Sequence, residues 1–161
     1  MMNEHDINIA KTEALSVLRN IPTQSFICLP MSATFYALLK DNHNIDAKLV
    51  TGNLTFKGQY VFKQDYSLMT GDHSEFKLWA GHSWVEIDGY VWDLSFFRSL
   101  YSEQFISPYK SQLINLFGKG RGFLAIAGYC IPETEIYYEP VDYLTDEMAT
   151  GIIQGYQSML N

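Results

Sequence analysis

Cysteine is scarce in this chain. Only Cys28 and Cys130 occur among 161 residues, too few for a disulfide framework and unable to furnish a four-cysteine zinc site. A thiol kept for its reactivity becomes the reading to test. Basic charge is also scarce: 11 Lys and Arg against 18 Asp and Glu leave a formal net charge of −7. No sequence-wide positive field therefore draws the chain toward nucleic acid or an anionic membrane, and neither is expected as a partner. No run approaches the about 18 apolar residues of a membrane-spanning helix. The segment MMNEHDINIA carries acidic residues where a secretory signal needs a basic start and an apolar stretch. A cytoplasmic location is expected, with export through a dedicated injection machinery left open.

What is present is ordinary globular material. Hydrophobic residues at 47% and charged residues at 18% argue for a folded core rather than extended disorder. The length suits a single domain spanning 1–161. From Ile7 to Leu18, the positions Ile7, Ala10, Ala14, Val17 and Leu18 recur at helical spacing, and Asn20-Ile21-Pro22 supplies a stop. A second helix is expected over Leu29 to Lys40, with Met31, Phe35, Leu38 and Leu39 on one stripe and the turn-prone Asp41 to Asn44 after it. Cys28 then stands at a helix start, where Pro30 is tolerated because the missing amide hydrogen had no helical partner.

After Asn44 the pattern turns to strands: Ala47 to Phe56 and Gln59 to Gln64 around Lys57-Gly58, then Leu78 to Ile87 and Tyr90 to Phe96 around Asp88-Gly89. An Asp-Gly pair between alternating apolar residues is the strongest short hairpin signal in the chain. A polar loop is expected over Asp65 to Glu75, one or two short helices between Ser99 and Phe117, a buried strand over Phe123 to Cys130, and a final helix from Thr145 to Leu160 with Thr145 as its cap. The expected class is α+β, with N-terminal helices packed on an antiparallel β-sheet.

Chemistry concentrates at three positions. A thiol reacts as thiolate, and a helix start favours negative charge through unpaired amide hydrogens and the helix dipole; those amides can also stabilise a developing oxyanion. Cys28 has that address. A two-residue turn at Asp88-Gly89 pairs Ile87 with Tyr90, Trp84 with Asp93 and His82 with Ser95. His82 and Asp93 then become diagonal neighbours on one face, with backbones about 7–8 Å apart. A carboxylate so placed fixes the imidazole tautomer and stabilises the imidazolium. Trp84 on the same face would shield the pair from water. Taken singly, Cys28 reads as a small core hydrophobe, His82 as a satisfied strand histidine and Asp93 as a strand-end cap. Together they read as a nucleophile, a base and the group that orients the base.

These residues resemble the transglutaminase-like branch of the papain-like superfamily. The likeness runs from Cys28 to Ser95: Cys28 opening a helix, NIDAKLVTG at Asn44 to Gly52, and GHSWVEIDGYVWDLS at Gly81 to Ser95. It implies a papain-like or transglutaminase-like core and attack by Cys28 on an amide, ester or thioester carbonyl. His82 would act as base and Asp93 would orient it, with transfer of the acyl group to water or an amine. The substrate so implied is a peptide, a protein or a small amide. Similar patterns occur in bacterial transglutaminase-like peptidases, in leader-removing peptidases of lasso-peptide pathways and, more distantly, in arylamine N-acetyltransferases. The last usually carry arginine-glycine-glycine before the cysteine where SFI stands here, so coenzyme A is not inferred, and no cofactor is expected. Many members follow the aspartate with proline, whereas Leu94 follows Asp93. Gln24, four residues before Cys28, resembles the upstream glutamine that assists the oxyanion in papain-like enzymes, at an unfamiliar spacing; a solvated loop glutamine is the other reading.

Three further features carry weaker signals. Asp72, His73 and Glu75 bunch in a polar loop without a recognisable ligand motif, so no metal site is assigned. GKGRG at Gly118 to Gly122 lacks the order of a phosphate loop and reads as a turn. The tyrosines of EIYYEPVDY stay unassigned between a substrate groove and the core. The expected function is a cysteine-dependent acyl-transfer enzyme; the alternatives are a binding or regulatory module that keeps the fold without the reaction, and, more weakly, a metal-dependent hydrolase using the Asp72–Glu75 loop. Oligomeric state is not legible.

Overall fold

The computed structural model describes residues 2–23, 27–69, 80–118, 120 and 122–160. Helix α1 (Glu4–Asn20) begins where the Asn3 side chain accepts a 2.8 Å bond from the Asp6 amide, with Glu4 and Asp6 placing negative charge in its first turn. Helix α2 (Cys28–His43) runs three residues further than its apolar stripe suggested. It ends at Asn44, which takes the left-handed conformation at φ 53° that asparagine tolerates. Met31, Phe35 and Leu39 are buried as the spacing requires, and Leu38 is half-buried.

The strands are β1 (Lys48–Phe56), β2 (Gln59–Phe62), β3 (His82–Ile87), β4 (Tyr90–Asp93), β5 (Leu124–Ala127) and β6 (Ile136–Leu144). Both expected hairpin turns have two successive residues at positive φ, Lys57-Gly58 at 52° and 76° and Asp88-Gly89 at 50° and 79°. That is the primed geometry whose twist matches the flanking strands. The second turn fixes the register: Ile87 pairs with Tyr90 and Val85 with Trp92. Continued one step, that register sets Trp84 across from Asp93.

β3 pairs with β1, and β1 on its other side pairs with β6, while β2 pairs with the far end of β1. β4 carries β5. The sheet then curls: Tyr138 donates its amide to Tyr129 at 2.8 Å, Ile131 to Ile136 at 3.1 Å, and Cys130 bridges Tyr137. The segment after β5 is thus tied back to β6.

Several strand ends differ from expectation. The β4 strand stops at Asp93 rather than reaching Phe96, because the Asp93 carboxylate accepts the Ser95 amide at 3.2 Å and turns the chain into α3 (Phe96–Leu100). Between Ser99 and Phe117 the chain forms α4 (Lys110–Phe117). The segment EIYYEPVDY, whose tyrosines the sequence leaves open between a substrate groove and the core, falls on β6, and a bulge opposite Thr51/Gly52 accommodates Pro140. Helix α5 (Asp146–Met159) starts as expected, with Thr145 accepting the Met148 amide at 3.1 Å.

The chain is therefore an α+β fold, with N-terminal helices and a C-terminal helix packed on a curled antiparallel sheet. Two cores follow from strand alternation. Leu49, Val85, Ile87 and Trp92 face α1, α2 and α5. Val50, Trp84, Val91, Ile136 and Tyr138 fill the other side with Phe96 and Leu113. Among the described residues no helix is long and apolar enough to cross a membrane.

Candidate functional site

His82 opens β3 and Asp93 closes β4, so the hairpin brings the two side chains to one end of the sheet. Nε2 of His82 lies 2.7 Å from Oδ2 of Asp93, with the side chains 1% and 0% exposed. A carboxylate sealed from water needs donors for its lone pairs. Tyr138 on β6 donates its hydroxyl to the same Oδ2 at 2.6 Å, while Oδ1 accepts the Ser95 amide at 3.2 Å and the Ser95 hydroxyl at 3.5 Å.

Aromatic rings complete the walls. Phe62 of β2 stacks on the imidazole with centroids 4.9 Å apart and planes 12° from parallel. Trp84, fully buried, meets Tyr138 edge-on at 5.0 Å and lies 6.4 Å from the imidazole. Its indole donates to Glu86 at 3.3 Å, away from the pair. Gly52 pairs with His82 across the β1–β3 ladder. A methyl group there would stand 2.1 Å from the Glu139 carbonyl oxygen and 3.0 Å from the Trp84 ring, so the close approach of β1, β3 and β6 requires glycine.

Burial opposes charge on the imidazole, yet the Asp93 charge and hydrogen bond outweigh it and raise the His82 pKa to about 10. Cys28 adds a smaller push in the same direction. Burial raises the Tyr138 phenol well above its ordinary value, and the neighbouring Asp93 charge adds to this, so its proton stays in place to be donated.

Cys28 is the first residue of α2 and is 8% exposed. It packs with the helix-side core, whereas Trp84 and Tyr138 belong to the core on the opposite face. Both cysteines are free; Cys130 directs its sulfur to the carbonyls of Ile131 and Thr134. Gln24, the Asp72, His73 and Glu75 group, and Lys119 and Arg121 of GKGRG lie outside the described residues. Among the described residues no cluster of three or more His, Cys, Asp or Glu side chains is arranged to hold a metal ion.

A cavity of about 680 Å³ opens elsewhere, beside Leu18, Phe97, Arg98 and Tyr101; Cys28, His82 and Asp93 do not line it. Its Arg98 lies 3.8 Å from the sulfur of Met31, one helical turn along α2 from Cys28.

Tyr138 and Ser95 were not singled out in the sequence. The signal for Tyr138 was there: Ile136, Tyr138, Asp142 and Leu144 are buried in period-two alternation with exposed neighbours. Comparison with protein-family models, with curated proteins and with solved structures found no match.

Proposed function

We propose that the protein is a cysteine-dependent acyl-transfer enzyme with a transglutaminase-like core, acting on a peptide, a glutamine side chain or a small amide. The observation that carries this reading is the sealed His82–Asp93 pair, whose imidazole also feels the Cys28 thiol. An imidazolium held by a carboxylate supplies the positive charge that a nucleophilic thiolate needs. The Cys28 sulfur attacks the carbonyl carbon, and the amides of Cys28 and Leu29 face the oxyanion, Pro30 having no amide hydrogen to give. As the tetrahedral intermediate collapses, the carbon–nitrogen bond breaks and the leaving amine takes the imidazolium proton. Water or an amine then gives its proton to His82 and displaces the thiol from the thioester. Asp93 keeps the ring oriented through Nε2, leaving Nδ1 for the proton transfers.

The test is capture of the acyl-enzyme. Wild-type protein incubated with a peptide library and an electrophilic peptide-amide analogue should carry the acyl group on Cys28 by mass mapping, and turnover should vanish in Cys28→Ala and His82→Ala. Full turnover in Cys28→Ala would sink the reading.

A second reading, a binding or regulatory module retaining the fold, is favoured by one observation: the sulfur, imidazole and carboxylate residues are 8%, 1% and 0% exposed. Iodoacetamide at pH 6 separates the two. Faster labelling of Cys28 than of a free model thiol supports the enzyme, and labelling no faster supports the binding module.

A further inference from the structure

We infer that Tyr138 is a positioning residue for the His82–Asp93 pair: its hydroxyl holds the carboxylate oxygen that His82 uses and so sets how firmly the imidazole keeps its proton. The inference deepens the enzymatic reading and rests on it for its catalytic consequence.

A buried phenol needs one partner, and a backbone carbonyl would serve. Tyr138 instead donates at 2.6 Å to Asp93 Oδ2, the oxygen 2.7 Å from His82 Nε2. The ring cannot easily turn elsewhere. Its backbone is pinned on both sides, opposite Leu54 in the β1–β6 ladder and by its amide to Tyr129 at 2.8 Å, and Trp84 meets it edge-on. The second carboxylate oxygen is already occupied by Ser95. Among the described residues, the titratable groups facing the imidazole are Asp93 from β4 and Cys28 from α2, with Tyr138 of β6 acting through Asp93; β2 offers the uncharged ring of Phe62.

The direction of the effect follows from charge. While the imidazole is protonated, the Asp93 charge is partly compensated by it. Once the imidazole loses its proton, that charge is uncompensated and the Tyr138 hydrogen bond strengthens. The hydroxyl therefore favours the deprotonated imidazole, the form a general base needs. Without it the pair would hold its proton harder and the base would be weaker at a given pH.

The experiment follows His82 in the full-length chain by NMR of isotope-labelled histidine, the signal among the four histidines being assigned by its loss in His82→Asn. Tyr138→Phe removes the donor and should raise the apparent pKa of His82 by about one unit. Site-specific 3-fluorotyrosine at 138, a stronger donor of nearly the same shape, should lower it. If Tyr138→Phe fails to fold, the fluorinated protein decides alone. Opposite shifts, or the downward shift alone, support the inference; shifts of the same sign, or none, overturn it. Acyl capture on wild-type Cys28 is scored separately. Capture with an unmoved titration removes the Tyr138 inference and keeps the enzyme, and a moved titration without capture does the reverse. Where turnover is seen, the acid limb of the pH–rate profile should rise with the NMR value in Tyr138→Phe, a movement that a purely structural loss would not produce.

Discussion

Nε2 of His82 and Oδ2 of Asp93 meet at 2.7 Å where neither side chain reaches water. The contact links folding to pH. The folded pKa of His82 is raised to about 10 from an ordinary 6.5, so the folded chain holds a proton that the unfolded chain releases between those values. The associated stability is fully present below about pH 6.5 and is lost as pH rises toward 10. Urea midpoints should therefore fall from pH 6 to pH 9.5. In Asp93→Asn the source of the shift is gone, and stability at pH 6 should drop by about 3–5 kcal/mol, the cost of removing one partner of a buried pair. Burial alone then disfavours the imidazolium, so the variant's midpoints should no longer fall over the same range; midpoints that run parallel to wild type would refute the assignment.

Gly52 is set by a close approach rather than by a turn. An added methyl would meet the Glu139 carbonyl oxygen at 2.1 Å, and backbone cannot swing aside as a side-chain tip can. Gly52→Ala should destabilise the protein by about 2–4 kcal/mol. Because Gly52 faces His82 in the ladder, the same substitution should move the His82 NMR signal. Unchanged thermal stability would show that β6 has room to give.

Why the His82–Asp93 pair was legible and Tyr138 was not comes down to range. Asp88-Gly89 dictates a turn, the turn dictates register, and register puts residues 82, 84 and 93 on one face; every step is local. Tyr138 reaches Asp93 from a strand 45 residues away, and that strand carries Pro140, whose cost the bulge against Thr51/Gly52 absorbs. Asp93 also ends its own strand by capturing the Ser95 amide, which alternation alone reads as a strand continuing to Phe96. The helices were visible because apolar spacing and caps such as Thr145 are written within a few residues. The proposed chemistry requires Cys28 of α2 to reach His82 of β3, two elements that no local pattern in the sequence ties together.

Arg98 of α3 serves the end of α1. Its guanidinium donates to the carbonyls of Leu18 and Ile21, the acceptors that a helix C-terminus leaves without intrahelical partners. Arg98→Ala should cost about 1–3 kcal/mol, with Arg98→Lys recovering only part because an ammonium cannot span both oxygens in a fork. Hydrogen exchange should quicken in the last turn of α1 and leave α5 unchanged. Equal loss of protection in both helices would point to global destabilisation instead.

Asp142 holds down the chain that leaves β2. Its buried carboxylate accepts from Gln64 Nε2 at 2.7 Å, from the Leu68 amide at 2.7 Å and from the Ser67 hydroxyl at 2.9 Å. β2 carries Phe62, the ring stacked on His82, so the anchor lies two residues from a wall of the candidate site. Asp142→Ala leaves the Gln64 and Leu68 donors without that acceptor and should cost about 2–4 kcal/mol; Asp142→Asn keeps the shape and should cost less, since it weakens charge-assisted bonds without opening a gap. The Leu68 amide should exchange at least tenfold faster in Asp142→Ala at a temperature where the global fold persists. If the segment is a working support, the His82 signal should broaden or shift as Phe62 loosens. A Leu68 amide still protected as in wild type would mean that other contacts fix this segment, and Asp142 would then be a passenger in the β6 alternation rather than its anchor.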